Sequence, residues 1–217
     1  MSEKHNSITV LISESIGSVS ASIIEPESPE AVLVLAHGAG AGMSHPFMIT
    51  LAEELSRYSV ATVRYNFPYM ENKRNRPDPP AIAEKTVAMV MLKTREMFPD
   101  LPLFAGGKSF GGRMTSQRLA KERPLFVKGI VFYGFPLHPL GSPSTERAAH
   151  LKDISIPMLF LQGTRDKMAE MSLLEETLSG LPTATLATLE GADHSFKAGK
   201  KQLIPVLAER TRQWMKV

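Results

Sequence analysis

One segment limits the fold of this chain more than any other, the run LFAGGKSFGGRM at 103–114. An apolar stretch ends in two glycines, a serine follows, and helix-forming residues continue to 122. The pattern G-x-S-x-G at 107–111 is typical of a strand that turns sharply into a helix, because the tight turn leaves no room for side chains two residues before and after the serine. Backbone N–H groups at the helix start then favour negative charge near the Ser109 hydroxyl. A hydroxyl held this way can become a nucleophile if a base lies within reach.

Two other interpretations compete with this one. A five-residue pattern with three fixed positions recurs by chance, and GKS at 107–109 resembles the end of the phosphate-binding motif G-x-x-x-x-G-K-[ST]. That motif needs a glycine five residues before Gly107, where Pro102 stands, and residues 103–105 have the character of a strand. The pattern therefore disfavours a phosphate loop.

Strands and helices alternate along most of the chain. We predict an antiparallel pair first, then buried strands separated by amphipathic helices. The predicted strands are 8–12, 19–24, 31–36, 60–65, 103–106, 129–133, 157–162 and 186–189, and the predicted helices are 47–58, 81–98, 114–122, 168–180 and 201–216. This order predicts an α/β fold in one domain over 1–217, with a mostly parallel central sheet of about eight strands flanked by helices.

Ser109 needs a base, and the chain has six histidines. Sites in open parallel sheets form where strands end, and His194 follows the last predicted strand in a loop that leads to the final helix. We therefore predict His194 as the base. His138, which also follows a strand, is the best substitute, whereas His150 lies in a polar stretch that we expect at the surface.

The base in turn needs a carboxylate to hold its tautomer. Asp166 comes directly after the strand 157–162 and is the predicted partner, although an aspartate there also suits a helix cap. Asp193 adjoins His194, but neighbouring side chains in an extended loop point apart, and Asp153 precedes its strand. The chain order Ser109, Asp166, His194 is that of the α/β-hydrolases.

A tetrahedral intermediate also needs hydrogen-bond donors. The N–H of Phe110, directly after the serine, is one predicted donor. The other should come from the glycine-rich loop HGAGAGM at 37–43, with Ala39 favoured and Gly40 as the alternative.

At this point the chain resembles an α/β-hydrolase from about residue 8 onward. The motifs HGAG (37–40), NFPY (66–69), AGGKSFGGR (105–113) and GFPLHP (134–139) resemble a narrower group, the small hydrolases related to testis-expressed and chromatin-complex hydrolase-like proteins. The broader similarity is to dienelactone-hydrolase-like enzymes. True dienelactone hydrolases use cysteine, and this chain has none, so their substrate is not implied.

Composition excludes several function classes. Without cysteine there are no disulfides, zinc–thiolate sites or cysteine nucleophiles, and a net charge of +3 is too small to indicate nucleic acid binding. The start of the chain lacks the apolar run of a signal peptide, and no run is long enough to span a membrane. We expect a cytoplasmic protein with no metal, cofactor, nucleic acid or membrane partner, and leave its oligomeric state open.

The predicted substrate is a small ester. One predicted strand ends near 134 and the next begins near 156, so about twenty residues separate them. Because this connection is too short for a large lid, the site should be open. Gly40 and His138 are predicted to contact the substrate. Side chains that could line the pocket, or equally belong to the core, are Met43, Phe47, Tyr69, Phe110, Phe135 and Leu137. Lys108 could depress nearby pKa values or reach solvent, and we favour solvent.

Together these features predict a serine hydrolase that cleaves carboxylic esters through an acyl-enzyme. Amide, thioester and lactone cleavage use the same groups and stay open. The alternative is a non-catalytic binding or scaffold protein that keeps the fold.

Overall fold

The computed structural model describes residues 3–122 and 124–216. The four remaining residues of the predicted domain, Met1, Ser2, Arg123 and Val217, lie outside the described residues. An eight-stranded sheet forms the centre of the described part, in the order β1-β2-β4-β3-β5-β6-β7-β8. Its strands are β1 Glu3–Ser13, β2 Gly17–Pro26, β3 Ala31–Ala36, β4 Val60–Tyr65, β5 Leu103–Lys108, β6 Val127–Tyr133, β7 Met158–Gly163 and β8 Ala184–Leu189.

The sheet is mostly parallel, as predicted. β2 runs antiparallel to β1 and β4, whereas each neighbouring pair from β4 to β8 is parallel. All six residues of β3 are buried, because helices cover both faces of the sheet. The parallel strands therefore end at one common edge, where the loops after β3, β5, β7 and β8 meet.

Helices divide between the two faces of the sheet. They are α1 Pro46–Ser56, α2 Pro68–Glu71, α3 Pro80–Met97, α4 Phe110–Lys121, α5 Met171–Ser179 and α6 Ile204–Met215. Leu33 and Leu35 of β3 share one apolar cluster with α1 and α6, and Val32 and Val34 share the other with α3, α4 and α5. This alternation is what a strand with helices on both sides requires.

Several segments differ from the sequence-based expectation, which did not include the short helix α2 and which placed the starts of some other elements a few residues away. β1 begins at Glu3 rather than 8, because pairing with β2 holds polar residues that carry no apolar pattern. The last helix begins at Ile204 rather than 201, since Lys197–Ala198 (β9) and Lys201–Gln202 (β10) form a small antiparallel hairpin first. A short 3₁₀ helix, Glu146–Asp153, lies between β6 and β7. That helix is too short to form a lid, so the site edge stays uncovered.

Candidate active site

Ser109 lies at a strained turn between β5 and α4. Its φ of 50° and ψ of −114° are rarely adopted by residues with a side chain. A Cβ at Gly107 or Gly111 would collide with the backbone of Ala36, so both positions require glycine. The serine N–H donates to Tyr133 O over 3.2 Å, which ties the turn to β6. The sequence segment thus folds into the sharp strand-to-helix turn that it predicts.

His194 stands within hydrogen-bond distance of both predicted partners. Its Nε2 lies 2.9 Å from Ser109 Oγ, and its Nδ1 lies 2.6 Å from Asp166 Oδ2. An ionised carboxylate can only accept, so Nδ1 carries the hydrogen and Nε2 is left to accept the serine proton. The loops that carry Asp166 and His194 are joined by hydrogen bonds, including Gly191 N–H to Thr164 Oγ1 at 2.8 Å. The three side chains therefore form one continuous hydrogen-bonded chain.

The carboxylate of Asp166 is fully buried and has further partners. Its Oδ1 accepts from Met168 N–H over 2.8 Å, and its Oδ2 accepts from Gln162 Nε2 over 2.6 Å. Gln162 in turn accepts from Phe135 N–H over 2.8 Å. Sequence reasoning missed Gln162, although its place at the end of β7, four residues before Asp166, was a usable signal. These contacts fix the carboxylate that faces His194.

The alternative partners have other contacts. His138 is buried between Pro139 O at 2.9 Å and Glu170 N–H at 3.0 Å, so both ring nitrogens are occupied. Asp193 Oδ1 accepts from the N–H groups of Ser195 and Lys197, which shapes the turn after His194. Neither residue reaches Ser109 in this arrangement.

The loop after β3 runs beside the serine, and the point where a Cβ on Gly38 would stand lies 3.8 Å from Ser109 Cβ. Ala41 N–H donates to Gly38 O over 3.4 Å, and Gly40 has φ of +73°, which is the geometry of a type II turn centred on Ala39 and Gly40. His37, fully buried, anchors this turn: its Nδ1 lies 2.8 Å from Gly38 O, and its Nε2 accepts from Phe67 N–H over 3.1 Å. Burial lowers the pKa of His37 to about 4, so the ring stays neutral.

A cavity of about 930 Å³ opens beside Ser109, between the loop after β3, α1 and the start of α6. Ala39, Phe47, Ser109, His194 and Pro205 are among the residues that line it. Most of this wall is apolar, which suits an acyl chain or a small alcohol group.

Several side chains predicted to line the cavity lie elsewhere. Tyr69, Phe135 and Leu137 are fully buried in the core. The Tyr69 ring packs against Phe67, and the Phe135 ring packs against Phe160 of β7. Gly40 and Met43 lie in the loop after β3 but are not among the lining residues. His138 lines a neighbouring cavity of about 580 Å³ that also includes Asp166.

Lys108 does not reach solvent, contrary to the expectation from sequence. Its Nζ is buried and has no hydrogen-bond partner among the described residues. The ammonium instead faces the rings of Phe196 and Phe47, at 5.4 and 6.0 Å from their centroids. The side chain lines the cavity beside Ser109, and these two rings shield its amine from solvent.

Neither a metal-binding cluster nor a membrane-spanning helix is present in the described ranges, 3–122 and 124–216. They contain no cluster of three or more His, Asp and Glu side chains placed to hold a metal ion. Nor does any helix within them have the length and apolar character needed to cross a membrane.

The fold agrees with comparisons to known proteins. The structure is similar to dienelactone hydrolase from Anabaena variabilis, with a TM-score of 0.81 and 19% identity over 100% of this chain and 98% of that one. An α/β serine hydrolase without a lid from Xanthomonas campestris has a TM-score of 0.76 and 19% identity, over 99% of this chain and 96% of that one. A cold-adapted esterase from an Arctic intertidal metagenomic library has a TM-score of 0.73 and 15% identity, over 98% of this chain and 94% of that one. At these identities the likeness concerns the fold.

A comparison of the sequence identifies the family as well as the fold. A family model described as the alpha/beta hydrolase domain matches residues 29–210, which include every residue of the site described above. The chain therefore belongs to the α/β-hydrolase family.

Proposed function

We propose that this protein is a serine hydrolase that cleaves small carboxylic esters through an acyl-enzyme, with Ser109 as nucleophile, His194 as base and Asp166 as its partner. One observation carries the proposal: the hydrogen-bonded chain from Ser109 Oγ through the His194 ring to the buried Asp166 carboxylate, at 2.9 and 2.6 Å, ends at a cavity. Acyl transfer through a serine requires a base in contact with the nucleophile and a third group that orients this base. The three side chains have this arrangement.

In the first step Ser109 Oγ attacks the ester carbonyl carbon and His194 Nε2 takes the hydroxyl proton. The Asp166 carboxylate stabilises the imidazolium that forms, without accepting its proton. His194 then gives that proton to the departing alkoxide as the C–O bond breaks, which leaves an acyl group on Ser109. Water, deprotonated by His194, attacks the acyl-enzyme, and the returning proton regenerates Ser109 as the acid leaves.

The oxyanion of each tetrahedral intermediate needs donors on one side of Ser109. Phe110 is the first residue of α4, so its N–H has no acceptor within the helix. Ala39 lines the cavity at the second position of the turn Gly38–Ala41, and its N–H is the second proposed donor. Each such donor contributes about 3–4 kcal/mol to the transition state.

The preference for small esters rests on the uncovered edge and on the proteins that share the fold. Only the short helix Glu146–Asp153 stands between β6 and β7, and similar structures include proteins named as an esterase and as a serine hydrolase without a lid. Those names describe the other proteins, and they support ester cleavage here only as a proposal. Thioester, lactone and amide bonds remain the competing targets of the same groups.

The test is hydrolysis of 4-nitrophenyl esters of increasing acyl length by the wild type and by Ser109→Ala. We expect a burst of 4-nitrophenol equal to the enzyme concentration, then steady turnover that is fastest for short acyl chains. Ser109→Ala should lose both phases. Equal turnover by the two proteins, or none by a folded wild type across ester, thioester and lactone panels, would favour the non-catalytic alternative.

A further inference from the structure

The buried amine of Lys108 has no role in the steps above. The side chain starts directly before Ser109 and runs along the cavity floor, with Cγ 3.5 Å from the point where a Cβ on Gly38 would stand. Its Nζ lies 3.3 Å from the corresponding point on Gly134, and the His194 ring lies 3.5 Å from that same point. The ammonium is therefore next to the candidate base, on the cavity side of the sheet edge.

The hydrogen bonding of this ammonium is incomplete among the described residues. A buried ammonium group needs hydrogen-bond acceptors, yet no described residue provides one to Lys108 Nζ. The two aromatic rings offer only a partial substitute. Burial lowers the pKa of Lys108 to about 8, while the carboxylates of Asp166 and Asp193 act in the opposite direction, so the group is still mostly charged at neutral pH.

Lys197 is a second cation among the residues that line this cavity. The titratable side chains that line it are His45, Lys108, His194 and Lys197, and no described aspartate or glutamate is among them. Lys197 is exposed and stands at the rim, whereas Lys108 lies at the floor. A cleft with a lysine at its floor, another at its rim and mostly apolar walls attracts a small anion.

We propose that the cavity binds an ester that carries a second, ionised carboxylate, and that Lys108 is the residue that recognises this carboxylate. The inference rests on the proposed ester hydrolysis and names its substrate class. A lysine stem has four rotatable bonds, so Nζ can leave the rings and meet a carboxylate in the cavity. The substrate then supplies the acceptor that the protein lacks, and Lys197 steers the anion inward.

The experiment compares matched ester pairs. One pair is the 4-nitrophenyl monoester of glutarate and its methyl-capped neutral analogue, which places the charge on the acyl side. The other is 4-acetoxybenzoate and its methyl ester, which places the charge on the alcohol side. For the wild type we expect kcat/KM to favour the anionic member of at least one pair by about 10- to 100-fold, the range of a charge-assisted hydrogen bond.

Variants identify the residue responsible. Lys108→Met should reduce the anionic-to-neutral ratio at least tenfold, and Lys108→Arg should keep part of it. Lys200→Met removes an exposed lysine of the hairpin loop that does not line the cavity, and should keep the whole ratio. If Lys108→Met fails to fold by circular dichroism, Lys108→Gln takes its place. A wild-type ratio near one for both pairs, or a ratio unchanged in the folded Lys108 variant, overturns the proposal.

A binding measurement separates this proposal from the proposed catalysis. Glutarate titrated into Ser109→Ala should bind by calorimetry, and the double variant with Lys108→Met should bind at least tenfold more weakly. Hydrolysis of neutral esters without glutarate binding would overturn the anion site and leave the hydrolase intact. Glutarate binding that depends on Lys108, in a wild type that cleaves no ester, would support the anion site and count against ester hydrolysis.

Discussion

Two serines of the same helical segment each contact a histidine, and their difference shows what a short Ser–His distance can and cannot mean. Ser109 Oγ lies 2.9 Å from His194 Nε2, and Ser116 Oγ lies 2.7 Å from His150 Nε2. The second contact is the shorter one. Yet Ser116 lies in the middle of α4, fully buried, whereas Ser109 lies at the strained turn beside a cavity.

The direction of the hydrogen bonds separates the two pairs. Ser116 Oγ also contacts Arg113 O at 3.0 Å, and a carbonyl can only accept, so the hydroxyl hydrogen points to Arg113. His150 must then donate to Ser116 and cannot take its proton. In the other pair the Asp166 carboxylate holds the hydrogen on His194 Nδ1, which leaves Nε2 to accept from Ser109.

Removing each histidine gives the largest expected contrast. His194→Gln should reduce kcat for a 4-nitrophenyl ester by about 10⁵- to 10⁶-fold, the loss typical of a triad histidine. His150→Gln should leave kcat nearly unchanged and lower only the free energy of unfolding. Steady-state kinetics with urea denaturation of both variants measures the two effects. A comparable loss of kcat in folded His150→Gln would remove the distinction between the pairs.

The two aspartates near His194 should also differ in their effect on kcat. Asp166→Asn should lower kcat by about 10⁴-fold, because an amide no longer favours the hydrogen on His194 Nδ1. Asp193→Asn is the matched control: this carboxylate is adjacent to His194 but accepts only from the backbone of Ser195 and Lys197 among the bonds described above. Equal losses in the two variants would contradict the assignment of Asp166.

The backbone donor of the loop after β3 should have a smaller effect. Proline suits the second position of a type II turn and has no N–H, so Ala39→Pro deletes the proposed donor while keeping the turn. We expect kcat to fall by about 10²- to 10³-fold with KM nearly unchanged. Ala39→Gly, which keeps the N–H, should stay close to the wild type. If Ala39→Pro is equally active, the second donor lies elsewhere, with Gly40 the first alternative.

The smallest expected effect concerns stability. Burial lowers the pKa of His37 to about 4, and burial with Arg113 and Lys121 lowers that of His150 to about 4 against the opposing effect of Asp153. The unfolded chain, with histidine pKa values near 6.5, therefore binds more protons between pH 6.5 and 4. The stability that these two neutral histidines contribute to the folded protein is present above pH 6.5, and it is lost as the pH falls from 6.5 to 4.

For the fully buried His37 this loss amounts to about 2 kcal/mol between pH 7 and 5. Urea unfolding at both pH values should show a smaller pH dependence in His37→Gln than in the wild type. His5→Gln, at an exposed position, provides the control. An unchanged pH dependence in His37→Gln would contradict a neutral, buried ring.

The sequence was most informative where chemistry and backbone geometry require particular residues. The glycines around Ser109 predict the turn between β5 and α4. The strands that end near Asp166 and His194 predict that these side chains meet Ser109 at one edge of the sheet. The eight strands and their mostly parallel direction are confirmed. The narrower resemblance to testis-expressed hydrolase-like proteins stays a prediction.

It was least informative where residue type and environment disagree. Lys108 and His150 were expected at the surface because polar side chains usually are, yet tertiary packing encloses the Lys108 amine and half-buries His150. Tyr69 and Phe135 follow strands that end at the site, but their rings turn into the core. These outcomes depend on contacts between distant segments, which no local pattern contains.

The central claim, that Ser109 rather than Ser116 is a nucleophile, has a direct test in covalent labelling. A fluorophosphonate should modify the native protein once, and trypsin then separates the candidates, because cleavage after Lys108, Arg113 and Arg118 places Ser109 in SFGGR (109–113) and Ser116 in MTSQR (114–118). We expect the label on 109–113 and its loss in Ser109→Ala, with labelling retained in Ser116→Ala. No label on 109–113 of the folded protein, or equal labelling of Ser109→Ala, would contradict it.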